Sequence, residues 1–156
     1  MNALAQTLVI GLGNDFRRDD GAGRVAARMI ASAQADGVRV IEASGEGAAL
    51  MDAWRDAESV VLIDAVHSGA APGTIHRLDA RAQPIPSNFF HYSTHAFSVA
   101  EAVELARALD QLPPRLIVFG IEGKDFSSGE DLSPEVAAAV EEVVRQVKGE
   151  LCTKCP

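Results

Sequence analysis

Apolar positions along this chain follow two periods that alternate. Thr7-Leu8-Val9-Ile10 is a continuous apolar run, and the pattern predicts a buried strand near 6–12. A stretch of helical period near 21–35 follows, carrying Arg24-Val25-Ala26-Ala27-Arg28-Met29-Ile30. Val38-Arg39-Val40-Ile41-Glu42 alternates as a half-buried strand does, and 48–56 reads as a short helix. Ser59-Val60-Val61-Leu62-Ile63-Asp64 is apolar until its final carboxylate, the pattern of a central parallel strand. Pro72-Gly73 marks a turn, and 74–78 reads as a strand. Its short link to the strand before it predicts an antiparallel edge position. Residues 80–94 form a loop with Pro84 and Pro86, and 96–109 is helical. Pro113-Pro114 stops that helix and leads into a strand over 115–121. A polar loop spans 123–131. Ser133 and Pro134 then stand at the N-cap and first position of a helix to about Lys148, with apolar residues at 136, 140, 143, 144 and 147.

Strands alternating with helices imply a mostly parallel sheet covered on both faces. The expected fold class is α/β, a three-layer α/β/α sandwich around a twisted sheet of about five strands. Residues 1–150 read as one domain and 151–156 as a flexible tail, and 156 residues suffice for one substantial core. With 47% apolar and only 5% aromatic residues, that core is aliphatic.

A formal charge of −8 argues against nonspecific nucleic-acid binding and against an anionic membrane surface. No apolar run approaches the ~18 residues of a spanning helix. The start of the chain lacks the charged region of a signal peptide, so a cytoplasmic protein is expected. Cys152 and Cys155 sit together at the C-terminus and suggest no disulfide framework. Their Cys-x-x-Cys spacing suits a soft metal, or simply a frayed end with two free thiols.

Chemistry collects where strands end, the usual site position in such sheets. Gly11-Leu12-Gly13-Asn14-Asp15-Phe16-Arg17-Arg18-Asp19-Asp20-Gly21-Ala22-Gly23 is a strand-to-helix turn. Phe16 replaces the third glycine of a dinucleotide fingerprint, and no Lys-Ser/Thr pair makes a P-loop. Neither a Gly-x-Ser-x-Gly elbow nor a His-Glu-x-x-His helix is present. Asp20 follows the first strand, Asp64 ends the third, and His95 opens a helix after the proline loop. If the first and third strands are neighbours, these residues form an O,O,N set for a borderline divalent ion. The residue types alone leave other readings open. Asp64 also suits a loop cap, Asp19 and Asp20 are favourable charges at a helix start, and His95 suits a bond to Ser93 or Thr94.

Taken together, these motifs resemble the [NiFe]-hydrogenase maturation proteases. The resemblance rests on Gly11-Leu12-Gly13-Asn14, Asp19-Asp20-Gly21-Ala22-Gly23, Ile63-Asp64-Ala65 and Ser93-Thr94-His95. Gly120-Ile121-Glu122 and Leu132-Ser133-Pro134-Glu135-Val136 extend it, so that it spans roughly 7–148. It implies an aspartic-type endopeptidase that trims the C-terminus of a hydrogenase large-subunit precursor after nickel insertion. It places metal contacts on Asp20, Asp64 and His95, with Asp20 standing where the family often has Glu. The nickel is expected to arrive on the substrate, and other divalent ions fit the same donors. Asp20, Asp64 or Asp19 then orients or deprotonates a water, or the metal activates it directly. Glu42, Ser44 and Gly45 fall on a Gly/Ser-rich turn where a substrate backbone can approach, or they form only a strand-to-helix turn. A monomer is expected. The alternative is a non-catalytic nickel-dependent scaffold or metallochaperone for the same subunit. A third reading is a peptidase of similar fold acting on another precursor.

Overall fold

Five strands form one sheet in the order β2-β1-β3-β5-β4: β1 (Thr7–Leu12), β2 (Val38–Ala43), β3 (Ser59–Val66), β4 (Ile75–Asp79) and β5 (Arg115–Glu122). The structure is a computed structural model, and it describes residues 6–86, 88–90 and 97–152. Four helices accompany the sheet: α1 (Ala22–Ser32), α2 (Gly47–Ala53), α3 (Val99–Ala108) and α4 (Pro134–Cys152). β1, β2, β3 and β5 are parallel, and β4 runs antiparallel along β5, pairing Leu78 with Val118. The link from β3 to β4 carries no helix, so the chain turns back at the sheet edge as expected.

The two-residue period of the strands divides the core. Leu8, Ile10, Leu12, Val60, Leu62, Leu116 and Val118 face α2 and α3, where they meet Leu50, Trp54, Ala102 and Val103. Val9, Val61, Ile63, Ile117, Phe119 and Ile121 face α1 and α4, where they meet Ala26, Ile30, Val140, Val143 and Val147. This is the expected three-layer sandwich. Trp54 is 2% exposed at the end of α2.

Three boundaries differ from the sequence pattern. A single 3₁₀ turn, Arg18–Gly21, precedes α1, so Asp19 and Asp20 lie outside the α-helix proper. α3 begins at Val99, because Ser98 and Glu101 form a reciprocal capping box. α4 continues past Lys148 to Cys152, and Leu151 packs on the core beneath it. Residues 149–152 thus belong to the fold, and residues 153–156 lie outside the described residues.

Strand order reverses between β2-β1 and β1-β3, and ligands bind at such switch points in open α/β sheets. The β1–α1 turn and the end of β3 meet there. Their approach depends on glycine. A Cβ on Gly23 would lie 2.1 Å from the Ile63 carbonyl oxygen and 2.6 Å from that of Leu12. The first turn of α1 therefore rests directly on the backbones of β1 and β3. Gly13, at φ +123°, would place a Cβ 1.8 Å from the Asp20 carbonyl oxygen.

Candidate functional site

Asp20 and Asp64 line one cleft of about 440 Å³ at the switch point. Asp64 follows Leu62 by two positions along β3 and so emerges on the α2/α3 side of the sheet. Its Oδ1 accepts from the Ala65 N–H at 2.8 Å. Burial pushes its carboxyl well above the usual range, the charge of Asp20 adds to this, and the Ala65 N–H opposes it. Asp20 Oδ2 accepts from the Asn14 N–H at 3.0 Å. Burial raises the Asp20 carboxyl too, against the Asn14 hydrogen bond and the charges of Arg17 and Arg24. Two partly desolvated carboxylates within electrostatic reach make a site that gains from a cation.

Arg24 at the start of α1 orders the turn above this pair. Its Nε donates to the Gly13 carbonyl at 2.7 Å, and its Nη1 lies 3.4 Å from Glu42 Oε1. Arg28 one turn later donates to Asp15 at 2.5 Å and to Glu42 Oε1 at 2.6 Å. Glu42 thus faces the arginines of α1 and is absent from the residues that line the cleft. It supports the Gly13 turn through Arg24. Ser44 and Gly45 do line the cleft, with Gly45 at φ +97°.

Asp19 is likewise absent from the described residues that line the cleft. It is wholly buried. Its Oδ2 accepts from the N–H groups of Lys124 and Asp125 at 2.8 Å each and from the Ser133 hydroxyl at 2.8 Å. Its Oδ1 accepts from the Ser133 N–H at 2.7 Å. Four donors occupy the carboxylate, which therefore ties the β1–α1 turn to the loop between β5 and α4. It is not placed to act on a water in the cleft.

His95 lies outside the described residues, as do Ser93, Thr94 and His91. Among the described residues no three His, Cys, Asp or Glu side chains gather as a metal-ligand group. Asp20 and Asp64 bring two carboxylates to the cleft.

Sequence reasoning gave little weight to several residues found here. Phe16, Phe89, Phe90 and Phe126 line the cleft, and His67 stands among them with its ring edge-on to Phe126 at 5.7 Å. Behind the wall, Glu122 is buried at the end of β5 and accepts from the Ser68 N–H at 3.0 Å and from the Ser68 hydroxyl. His76 Nε2 lies 3.3 Å from Glu122, and the His76 ring packs on Phe89. A carboxylate closing the apolar run Leu116–Ile121 was the available signal for this network.

Comparison with known proteins agrees with this architecture. Residues 24–150 match the family model described as hydrogenase maturation protease. The hydrogenase expression/formation protein HupD of Thiocapsa roseopersicina is 26% identical over 139 residues. The match covers 87% of this chain but only 63% of that relative, so this chain spans about three fifths of its length. The [NiFe] hydrogenase maturation protease HybD of Thermococcus kodakarensis superposes with a TM-score of 0.70 at 27% identity, covering 92% of this chain and 97% of that one. The hydrogenase maturating endopeptidase HybD of E. coli shares the fold with a TM-score of 0.81 at 24% identity, covering 96% and 94%.

Proposed function

This chain belongs to the hydrogenase maturation protease family, and we propose that it is an endopeptidase acting on a [NiFe]-hydrogenase large-subunit precursor. In this reading it works as a cytoplasmic monomer and removes the precursor's C-terminal extension once nickel has been inserted. The observation that carries it is the pair Asp20 and Asp64, desolvated together in one cleft at the switch point. Like charges in a poorly solvated site raise each other's protonation, and a divalent ion relieves both the repulsion and the desolvation.

The substrate brings that ion. Two carboxylates and the imidazole of His95 are an incomplete shell for nickel, so tight engagement requires a precursor already carrying it. Cleavage thereby becomes conditional on metal loading. Asp20, fixed by the Asn14 N–H, is the orienting ligand. Asp64, across the cleft from Asp20, takes a proton from the attacking water. The water oxygen bonds to the scissile carbonyl carbon, the C–N bond breaks, and the proton passes to the leaving amine. Ser44 and Gly45 offer the substrate backbone a close approach on the cleft rim.

The test is incubation with purified precursor, with and without nickel, read by intact mass. The expected result is loss of a C-terminal peptide from the nickel-loaded form alone. Asp64→Asn is expected to slow this by at least about 10²-fold, and Asp20→Asn and His95→Ala to weaken binding of the loaded precursor. Stoichiometric binding without any loss of mass would replace the protease with an assembly scaffold. Cleavage that ignores nickel and survives all three substitutions would remove the assigned site.

A further inference from the structure

Four large apolar side chains stand well exposed among the described residues: Phe16, Met29, Leu105 and Leu109. Only Phe16 lines the cleft that holds Asp20 and Asp64, and at 67% it is the most exposed of the four. Its position is fixed on both sides by the backbone. The Phe16 N–H donates to Asn14 Oδ1 at 2.9 Å, and the Phe16 carbonyl accepts from the Gly129 N–H at 2.9 Å. The neighbouring Arg17 sends its Nε to the Phe126 carbonyl at 3.3 Å. The loop after β5 is thus laced to the β1–α1 turn, and Phe16 is held out toward water on a braced support. Leaving an aromatic ring in water costs free energy that burial against a partner recovers.

The same cleft has an aromatic wall. Phe126 shares the laced loops with Phe16, and Phe89 and Phe90 contribute adjacent rings 6.4 Å apart. The carboxylates and the aromatic rings give one continuous cleft two chemically distinct parts. We infer that Phe16 is a specificity-determining residue: with the Phe89–Phe90–Phe126 wall it takes an apolar side chain of the peptide flanking the bond to be cut. This rests on the protease reading above and adds to it a requirement on the substrate sequence. A charged or small polar side chain at that position leaves the exposed ring unpartnered, whereas an aliphatic or aromatic one covers it.

The test is a double-mutant cycle on cleavage of the nickel-loaded precursor. Each apolar residue within three positions of the scissile bond is replaced by Ser in turn, and each precursor is presented to wild type, Phe16→Ala and Phe16→Leu. Phe16→Ala is expected to raise KM about tenfold with kcat little changed, and Phe16→Leu to restore most of the loss. One Ser-substituted precursor is expected to show the same tenfold loss with wild type and no further loss with Phe16→Ala. That non-additivity is the signature of direct contact. If Phe16→Ala cleaves as well as wild type, or its effect adds to every precursor substitution, the inference falls while the protease reading stands. If wild type cuts no precursor, the protease reading falls and this inference with it. A concentration-dependent dimer in sedimentation that Phe16→Ala abolishes would assign the ring to a second copy of this chain and overturn the inference.

Discussion

Asp19 and Asp20 share one turn yet face different surroundings, and Asp64 across the cleft completes the contrast. Asp19 is buried against four donors, so its charge is compensated in place. Asp64 is half-buried with one backbone N–H and the charge of Asp20 nearby, so its charge is opposed. The folded protein therefore holds the Asp64 proton more tightly than the unfolded chain does. Stability falls as pH rises from about 4, the ordinary carboxyl value, through the raised folded-state value, and then levels off. Asp64→Asn removes that penalty. It is expected to be more stable than wild type at pH 7, with a higher Tm, and the advantage is expected to vanish below about pH 4. Asp19→Asn turns an amide N–H toward other donors and is expected to lose about 2–3 kcal/mol. Thermal melts of both variants at pH 4 and pH 7 check the opposite signs. An Asp64→Asn protein less stable than wild type at pH 7 would show that this carboxylate is compensated in the fold and not held in reserve for a cation.

The elements most legible in the sequence are those whose local pattern and tertiary fate coincide. β1, β3 and β5 are continuous apolar runs buried on both faces, and β4 shows its edge position through its short link to β3. The pairing of Asp20 with Asp64 was legible because two strand ends and a neighbour relation suffice to place it. The role of Asp19 was not, since its partners lie more than 100 residues away and carry no local signature. Ser133 illustrates the same limit. It precedes α4 as expected of an N-cap, but its hydroxyl donates to Asp19. The glycines of the β1–α1 turn read as a loop motif, whereas the structure makes Gly23 a packing residue of α1. This gives a prediction with a sign. Gly→Ala within a helix ordinarily stabilises by up to about 1 kcal/mol. Gly149→Ala in α4, with open space around the new methyl, is expected to do so. Gly23→Ala instead drives a methyl into the Ile63 and Leu12 carbonyls and is expected to cost about 3 kcal/mol or more, as α1 lifts from the sheet. Urea denaturation of the two variants separates the cases, and a Gly23→Ala protein as stable as wild type would mean that α1 is not seated on the strand backbones.

At the scale of the whole molecule, α4 joins the far end of the sheet to the core beneath it. Its buried stripe of Val136, Val140, Val143 and Val147 continues into Leu151, which packs on the α1-side core. Beside it, Glu150 pairs with Arg77 of β4 and, at 2.6 Å, with Arg115 of β5. One carboxylate thus bridges the antiparallel edge strand, its central neighbour and the last helix. Because α4 runs to Cys152, shortening the chain after Gly149 removes fold as well as the Cys-x-x-Cys end. The partly exposed ion pairs contribute about 1 kcal/mol after solvent screening, and the partly buried Leu151 about 1 kcal/mol more. A chain ending at Gly149 is therefore expected to melt about 4–8 °C below the full chain, with part of the difference lost at high salt. Cys152→Ser with Cys155→Ser keeps Glu150 and Leu151 and is expected to melt with the full chain. If the shortened chain melts with the full one yet loses nickel-dependent cleavage, the terminal thiols act in the chemistry. If it melts lower while the double serine variant cleaves normally, any loss on shortening comes from releasing the end of α4 from β4 and β5.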